Sequence, residues 1–557
     1  MQRTKARLGD RLLERGLVGQ DQLTVALSEQ RRAYRPLGEI LVSLGFVRPE
    51  DIAALLAEDL GLEVLRAGDI EPDPLLLAAV DRDFVRSSGS LPVRLVDGVL
   101  TVAMTDPGDP ARMALVRARF PYPLRLAVTT ESDLIELLRQ HFSESRSRVA
   151  EIFSDLGEDA GRFGDDFPVE EITRALLVDG VQRGATDVHI EPEEKVTRVR
   201  YRVDGILHQG ENLPRSASDA IVSRIKVLAR LDISERRRPQ DGRLRLDVDE
   251  RDVDMRVSVM PCAEGENVVL RVLDRSAGGL QLPQLGFSER EVGLLRRVGE
   301  RPHGLFLVTG PTGSGKTTTL YGVLAGIDAM RRNVVTVEDP IEYRLPLVRQ
   351  SQIDPSIGFG FQEGLRALLR QDPDVILVGE IRDAETANMA IKASMTGHLV
   401  FSTLHTNSAL GAIPRLSDLG VDPFLVEDSL IGVLAQRLVR RLCRHCSLPG
   451  EPDAHEHSFL QGESGGLMRA AGCERCRETG FSGRVAISEL FLPDDSMADG
   501  LRRGVDLSEL RRLAEAGGFE DLTVSGRRKV LAGLTSVAEV ERVSHSHRFT
   551  VEEREVV

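Results

Sequence analysis

One stretch constrains this chain more than any other: Gly310-Pro311-Thr312-Gly313-Ser314-Gly315-Lys316-Thr317, with Thr318 directly after it. It follows the pattern Gly-x-x-x-x-Gly-Lys-Ser/Thr. The apolar run Leu305–Val308 precedes it and a helical pattern over Thr317–Ile327 follows, so the order predicted is strand, loop, helix. In that setting the glycines let backbone N–H groups turn inward onto phosphate oxygens, and the helix N-terminus adds partial positive charge. Lys316 can then reach the β- and γ-phosphates of ATP, and the Thr317 hydroxyl can bind Mg²⁺.

Two acidic runs follow. Val334–Glu342 carries Glu338, Asp339 and Glu342 at the end of an apolar run, and Asp372–Asp383 carries Glu380 after another. Ligands of open α/β sheets bind beyond the carboxyl ends of the strands. Carboxylates there can hold Mg²⁺ or orient an attacking water. A third short run, Leu399–Phe401, lies between His398 and His405. The polar cluster Ser402, Thr403, His405, Thr406 and Asn407 has the make-up of a γ-phosphate sensor, with a purely structural histidine as the alternative.

From Gly304 onward, apolar runs of three to five residues alternate with helical segments, the pattern of a buried, largely parallel sheet. Upstream the texture differs. A helix over Val169–Gly184 precedes runs with period-two alternation: Thr197–Val203, Arg243–Val248, Val253–Val259 and Val268–Leu273. These read as half-buried strands. Residues 143–166 are rich in Ser, Gly and Asp and read as a linker. Before it, Arg7–Val18 recurs as Pro36–Val47 at an offset of 29 residues, and each copy runs into a helix, Gln20–Gln30 and Pro49–Asp59. Such a repeat predicts duplicated helical units sharing one core. Residues 66–142 mix strands (Val93–Val96, Val99–Met104) with a closing helix near Glu131–His141.

Four of the five cysteines form two Cys-x-x-Cys pairs, Cys443/Cys446 and Cys473/Cys476, with 26 residues between them. No secretory h-region opens the chain, and no run approaches the roughly 18–20 apolar residues of a membrane span. A cytoplasmic chain is expected, reaching a membrane only through partners. In that setting paired Cys-x-x-Cys knuckles favour a tetrahedral, structural Zn²⁺ over disulfides. Net charge is −15, aromatics are 4% and Trp is absent. These values argue against direct nucleic-acid binding, which needs basic surface and stacking platforms.

Together, Gly310–Thr317, the run ending Glu338-Asp339-Pro340-Ile341-Glu342, Arg370–Asp383 and Thr396–Thr406 resemble the Walker A, aspartate, Walker B and histidine boxes of the hexameric ATPases that drive type II secretion and type IV pilus assembly. The resemblance extends over nearly the whole chain. Ala185–Ile190, Arg200–Gly205 and Arg238–Arg243, through Arg256 and Arg271, are similar to that family's PAS-like domain. The cysteine motif is similar to that of its assembly and secretion branches. The resemblance implies roles by position. Glu342 would activate water, Glu380 would help place Mg²⁺, and Arg256 and Arg271 would contact phosphates when their domain closes. Arg366, Arg370 and Arg415 would lie near the site or a subunit contact. The repeat resembles a tandem 24-residue motif that binds cyclic di-GMP in some of these ATPases. Arg7, Leu8, Gly9 and Gln30 of the first copy and Leu37 and Gly38 of the second would carry binding. Pro36 in place of Arg7 and Asp59 in place of Gln30 depart from the motif.

The expected architecture is α/β and multidomain. A mostly helical N-terminal regulatory region (1–142) and the linker (143–166) lead into a PAS-like domain (167–284). A RecA-like P-loop ATPase core (285–440), a Cys₄ zinc subdomain (441–490) and a helical C-terminal region with tail (491–557) complete it. The expected function is ATP hydrolysis by a homohexamer. It would drive pseudopilus assembly for type II secretion, against an inner-membrane platform and its membrane adaptors, under cyclic di-GMP control. Type IV pilus extension is the alternative within the family. A nucleic-acid motor and a non-catalytic cyclic-dinucleotide scaffold are the alternatives outside it.

Overall fold

The computed structural model describes residues 8–33, 35–141, 149, 151–152, 168–248, 251–274, 281–463 and 465–544. The chain forms two compact units, Met1–Ser147 and Arg148–Val557.

In the first unit the repeat folds as expected. Leu8–Glu14 and Gln20–Ala33 form the helices of the first copy, and Leu37–Ser43 and Pro49–Leu60 those of the second. Leu12, Leu23 and Ala26 share one buried core with Ile40, Leu41 and Leu55. A four-stranded sheet follows, with β1 (Glu63–Val64), β2 (Ser90–Val96), β3 (Val99–Met104) and β4 (Leu124–Val128) in the order β1-β4-β3-β2. The closing helix is Glu131–His141.

The second unit opens with a six-stranded antiparallel sheet. Its strands are β5 (Asp187–Pro192), β6 (Val196–Val203), β7 (Ile206–Pro214), β8 (Gln240–Val248), β9 (Arg251–Cys262) and β10 (Gly265–Asp274), ordered β7-β6-β5-β10-β9-β8. Helices Val169–Gln182 and Ser218–Leu228 bury one face, packing Leu176 and Ile225 among Val188, Tyr201, Met255 and Leu270. Val149 and Ile152 join this core, so the segment expected to be a linker contributes two buried side chains. Apart from Glu151, the rest of 143–166 lies outside the described residues.

The core sheet contains β11 (Gly304–Thr309), β12 (Val334–Glu338), β13 (Arg349–Gln352), β14 (Val375–Val378), β15 (Leu399–Leu404) and β16 (Leu430–Leu442). The short ribbon β17 (Leu448–Pro449) and β18 (Met468–Arg469) comes next in the chain, and β19 (Phe481–Phe491) closes the sheet. The order is β13-β12-β14-β15-β11-β16-β19. Every pairing is parallel except β16 with β19. Strands β11, β12, β14 and β15 are buried along their whole length, as parallel strands covered on both faces must be. Two of the covering helices start on side-chain caps: Ser288 and Glu291 form a reciprocal box before β11, and Asp383 accepts from Thr386 N at 2.8 Å. The sheet continues past 440. The cysteine segment is an insertion between two of its strands, with β19 as an antiparallel edge. Helices from Asp495 to Ser544 cover that side, and the tail after 544 lies outside the described residues. Among the described residues no helix is long and apolar enough to cross a membrane.

Candidate functional site

The phosphate loop joins β11 to the helix Lys316–Leu324. Gly310, Gly313 and Gly315 have φ of 146°, 79° and 86°, a region closed to most side chains. A Cβ at Gly310 would lie 2.5 Å from the Gln436 carbonyl oxygen, and one at Gly315 would lie 2.8 Å from the Gln436 amide nitrogen. Pro311 and Thr312 form the exposed crest of the loop. Lys316 Nζ lies over the loop and donates to the carbonyls of Gly310 (2.8 Å) and Pro311 (3.1 Å). Burial, with Arg437 nearby, holds its ammonium below the usual lysine range, against the pull of Glu380. Ser314 Oγ is buried with no hydrogen-bond partner among the described residues. A buried donor left open in a glycine cradle, beside a helix N-terminus and a lysine, fits an ATP phosphate chain.

The acidic groups separate by environment. Glu338 points inward, only 2% exposed, and is bonded by Tyr321, Thr336 and Gln350. It is a structural carboxylate and not an open ligand. Glu342 lies in the following loop. Burial raises its carboxyl, opposed by Arg256 and then Arg271. Glu380 follows β14, pairing with Arg382 at 2.5 Å and with His405 Nε2 at 3.5 Å. His405, after β15, thus meets Glu380, after β14. His398, by contrast, bonds the Ala393 carbonyl at 2.9 Å and anchors a turn. Arg366 pairs with Glu385 at 3.1 Å and Arg370 donates to the Arg366 carbonyl at 2.9 Å. The first contact ties Arg366 to the neighbouring helix Ala384–Met395, and the second folds Arg370 back onto the end of the helix that carries Arg366. Arg415, on helix Ala412–Asp418, makes no hydrogen bond or ion pair with this site among the described residues.

Arg256 and Arg271 sit on β9 and β10, directly opposite each other. Burial, and then Arg243, depress the Arg256 guanidinium, while Glu342 and Asp339 favour its charge. The antiparallel sheet therefore presents its arginine face to the Glu342 loop. Elsewhere the two parts touch where Asp204 accepts from Gly483 N at 2.8 Å and pairs with Arg484 at 3.5 Å.

Sequence reading missed Gln436 and Arg437. Gln436 Nε2 donates to Ser314 O at 2.8 Å, and its Oε1 accepts from Thr319 Oγ1 at 2.7 Å. Arg437 donates to Asn407 O at 2.9 Å. Their only sequence signal was a polar pair inside the apolar run Leu430–Leu442.

The four cysteine Sγ atoms lie within 4.8 Å of one another. The separations Cys443–Cys473, Cys446–Cys476 and Cys473–Cys476 are 3.9, 3.8 and 3.7 Å. A tetrahedral Zn²⁺ at the usual Zn–S length requires S···S of about 3.8 Å, so the donor set fits. Burial alone would raise Cys476, but N–H groups of Cys473 and Gly480 outweigh it and hold the thiol at about 7, in reach of the ligating thiolate.

In the N-terminal unit, Leu8 and Leu37 pack on the shared core. Gly9 is closed by Leu23, whose Cδ1 would lie 2.9 Å from a Cβ there, and Gly38 lies against Leu8 and Ile52. Gln30 donates to the Arg35 carbonyl at 3.1 Å, and Asp59 pairs with Arg11. Arg7 lies outside the described residues.

Comparison with known proteins agrees with this geometry. Residues 163–542 match the family described as Type II/IV secretion system protein, and residues 60–148 match the MshEN domain. The type IV pilus assembly ATPase PilB of Myxococcus xanthus is 36% identical over 564 residues, covering 98% of this chain and 100% of that protein. Type II secretion system protein E of Pseudomonas aeruginosa is 50% identical over 390 residues, covering 70% and 78%. The X-ray structure of the Legionella pneumophila ATPase DotB shares the fold, with a TM-score of 0.52 at 20% identity, over 69% of this chain and 98% of that one. With its phosphate loop and two acidic strand ends in place, the chain belongs to the type II/IV secretion system protein family.

Proposed function

We propose that this chain is the hexameric ATPase of a type II secretion machine. The observation that carries the reading is that Lys316 and Glu380 act on each other in the core, while Arg256 and Arg271 of the antiparallel sheet act on the core carboxylate Glu342. Phosphoryl transfer needs positioning and charge neutralisation more than covalent chemistry. Residues 310–318 would cradle the phosphates, with the Thr317 hydroxyl and Glu380 holding Mg²⁺. Glu342 would take the proton of the attacking water, and His405 would sense the γ-phosphate through Glu380. The sheet domain, read as PAS-like, would bring Arg256 and Arg271 onto the phosphates as it closes. Repeated closing and opening would turn a membrane platform and add pilin-like subunits to a pseudopilus.

Four cysteines at tetrahedral spacing support a structural Zn²⁺ inserted in the sheet edge. A matching MshEN domain beside the tandem repeat supports regulation by cyclic di-GMP. Leu8, Gly9, Gln30, Leu37 and Gly38 would shape the binding surface by packing more than by direct contact. The second reading, type IV pilus extension, is favoured by one observation: the PilB relative aligns along 98% of this chain.

Turnover by the purified chain tests the core of this reading. Lys316→Ala should abolish ATP hydrolysis, because the γ-phosphate loses its cation. A variant that hydrolyses at the wild-type rate would remove the assignment.

A further inference from the structure

The antiparallel sheet carries a charge pattern that two phosphate arginines do not account for. Register places Asp187 opposite Arg271, Arg271 opposite Arg256, and Arg256 opposite Arg243. Opposed residues of antiparallel strands point to the same face. One row on the face away from the helices therefore reads Asp187, Arg271, Arg256, Arg243 across four strands. Like charges directly opposite each other destabilise a sheet.

Asp187 relieves this at one end only. Its carboxylate binds Arg271 Nε at 3.0 Å, with Arg202 at 3.8 Å on its other side. The side chains of Arg256 and Arg243 make no hydrogen bond or ion pair with any described residue. In front of them lies a cleft of about 520 Å³, lined by Arg243, Arg256, Arg271, Asp187, Asp241 and Ser258. That volume is in the range that holds a small ligand. Three guanidinium groups against two carboxylates leave the cleft net positive, and one of those carboxylates is already shared between two arginines.

We propose that Arg243 is a third phosphate-contacting arginine, forming with Arg256 a two-pronged seat for the terminal phosphate of bound ATP. An anion between the two guanidinium groups removes their mutual repulsion and gives each a charge-assisted bond. Glu342 and Asp339 of the core favour the charge of Arg256, so the Arg256 prong answers to the loop read above as placing the attacking water. This inference rests on the ATPase reading above.

The test compares full-length wild type with Arg243→Ala, Arg243→Lys and Arg245→Ala. Arg245 is on the same strand and face but is paired with Asp254 at 3.0 Å. Steady-state hydrolysis is measured together with binding of ADP and of a non-hydrolysable ATP analogue. Arg243→Ala should lower kcat/KM about 10- to 100-fold, the scale of one charged hydrogen bond. It should weaken the triphosphate analogue about tenfold while leaving ADP affinity nearly unchanged. Arg243→Lys should recover part of both effects, and Arg245→Ala should match wild type. Should Arg243→Ala fail to fold, Arg243→Gln is read by the same triphosphate-to-diphosphate ratio. Wild-type kcat/KM and analogue affinity in a folded Arg243 variant would overturn the proposal while leaving the ATPase reading intact. An inactive wild type that binds neither nucleotide would instead defeat the ATPase reading beneath it.

Discussion

Gln436 donates its side-chain amide to the carbonyl of Ser314 at 2.8 Å, from the strand paired with the one that leads into the phosphate loop. The other end of the same amide accepts from Thr319, on the first turns of the helix that the loop opens. One buried side chain on β16 therefore fixes both sides of the cradle. Its neighbour Arg437 holds the loop after β15 through Asn407. Strand β16 thus couples the phosphate loop to the segment carrying His405.

Gln436→Ala should loosen that cradle. It strands the Ser314 carbonyl and the Thr319 hydroxyl in a buried place, at a cost of roughly 1–3 kcal/mol. ATP affinity should fall about tenfold, and thermal stability should fall with it. Calorimetric titration with a non-hydrolysable analogue reads the first effect. An unchanged dissociation constant would mean that the loop holds its shape without the strand.

Glu342 should titrate above an ordinary glutamate, because burial raises its carboxyl. As a base it must be ionised, so kcat/KM should fall as pH drops through that raised value. Arg256 is the largest influence holding the carboxyl down. Arg256→Gln should therefore move the acid limb of the pH profile to higher pH, besides lowering the rate. An acid limb that stays in place would show that Glu342 is not the titrating base.

Glu489 on β19 offers a separate pH test. It is 3% exposed, and burial pushes its carboxyl up to about 7 from an ordinary 4.5. Its oxygen accepts from Ala409 N at 2.7 Å. Arg511 and Arg437 favour the charged form, and Asp521 opposes it. A raised pKa means that the folded state holds the proton more tightly than the unfolded chain. The stability this contributes is complete below pH 4.5 and is lost as pH rises through about 7, on the order of 3 kcal/mol. Glu489→Gln keeps an acceptor for Ala409 without the titration. Denaturant melts at pH 5 and pH 8 should show the wild type losing stability relative to the variant, and parallel curves would contradict this.

Metal analysis should find about one zinc per chain, and Cys443→Ser or Cys476→Ser should lose it. The second knuckle is followed by Arg477, which donates to the Arg183 carbonyl at 3.4 Å, and by Gly483, bonded to Asp204. Metal removal should therefore lower the melting temperature of the second unit as well as release the insertion. A zinc-free protein with an unchanged melt would refute the metal assignment.

Much of this was legible in the sequence because the physics was local. A phosphate loop needs its glycines, lysine and flanking strand in one run, and buried parallel strands are short apolar runs. Four cysteines in two knuckles announce their own geometry. The alternation in Thr197–Val203 and Val253–Val259 marked β6 and β9. The rest depended on partners distant in the chain. Strand β7 buries little besides Leu213, so it had no alternation to read. Strand β16 hides a glutamine and an arginine in its interior, which reads against a strand until Ser314, Thr319 and Asn407 appear beside it. That β19 closes the core sheet after the cysteine insertion is a pairing across some forty residues, which no local pattern encodes. Glu338 looked like an open carboxylate until Tyr321 and Gln350 folded over it. The row from Asp187 to Arg243 exists only in the register of four strands.

The proposed ATPase site is shared between the phosphate-loop core and the antiparallel sheet before it. Steady-state ATP hydrolysis by Arg256→Ala, in a preparation with wild-type fold and oligomeric state, tests it most directly. Loss of one arginine that stabilises transferring phosphate should lower kcat by at least about 100-fold, although every core residue from Gly310 to Glu380 is untouched. Turnover at the wild-type rate would place the whole reaction in the core and contradict a shared site.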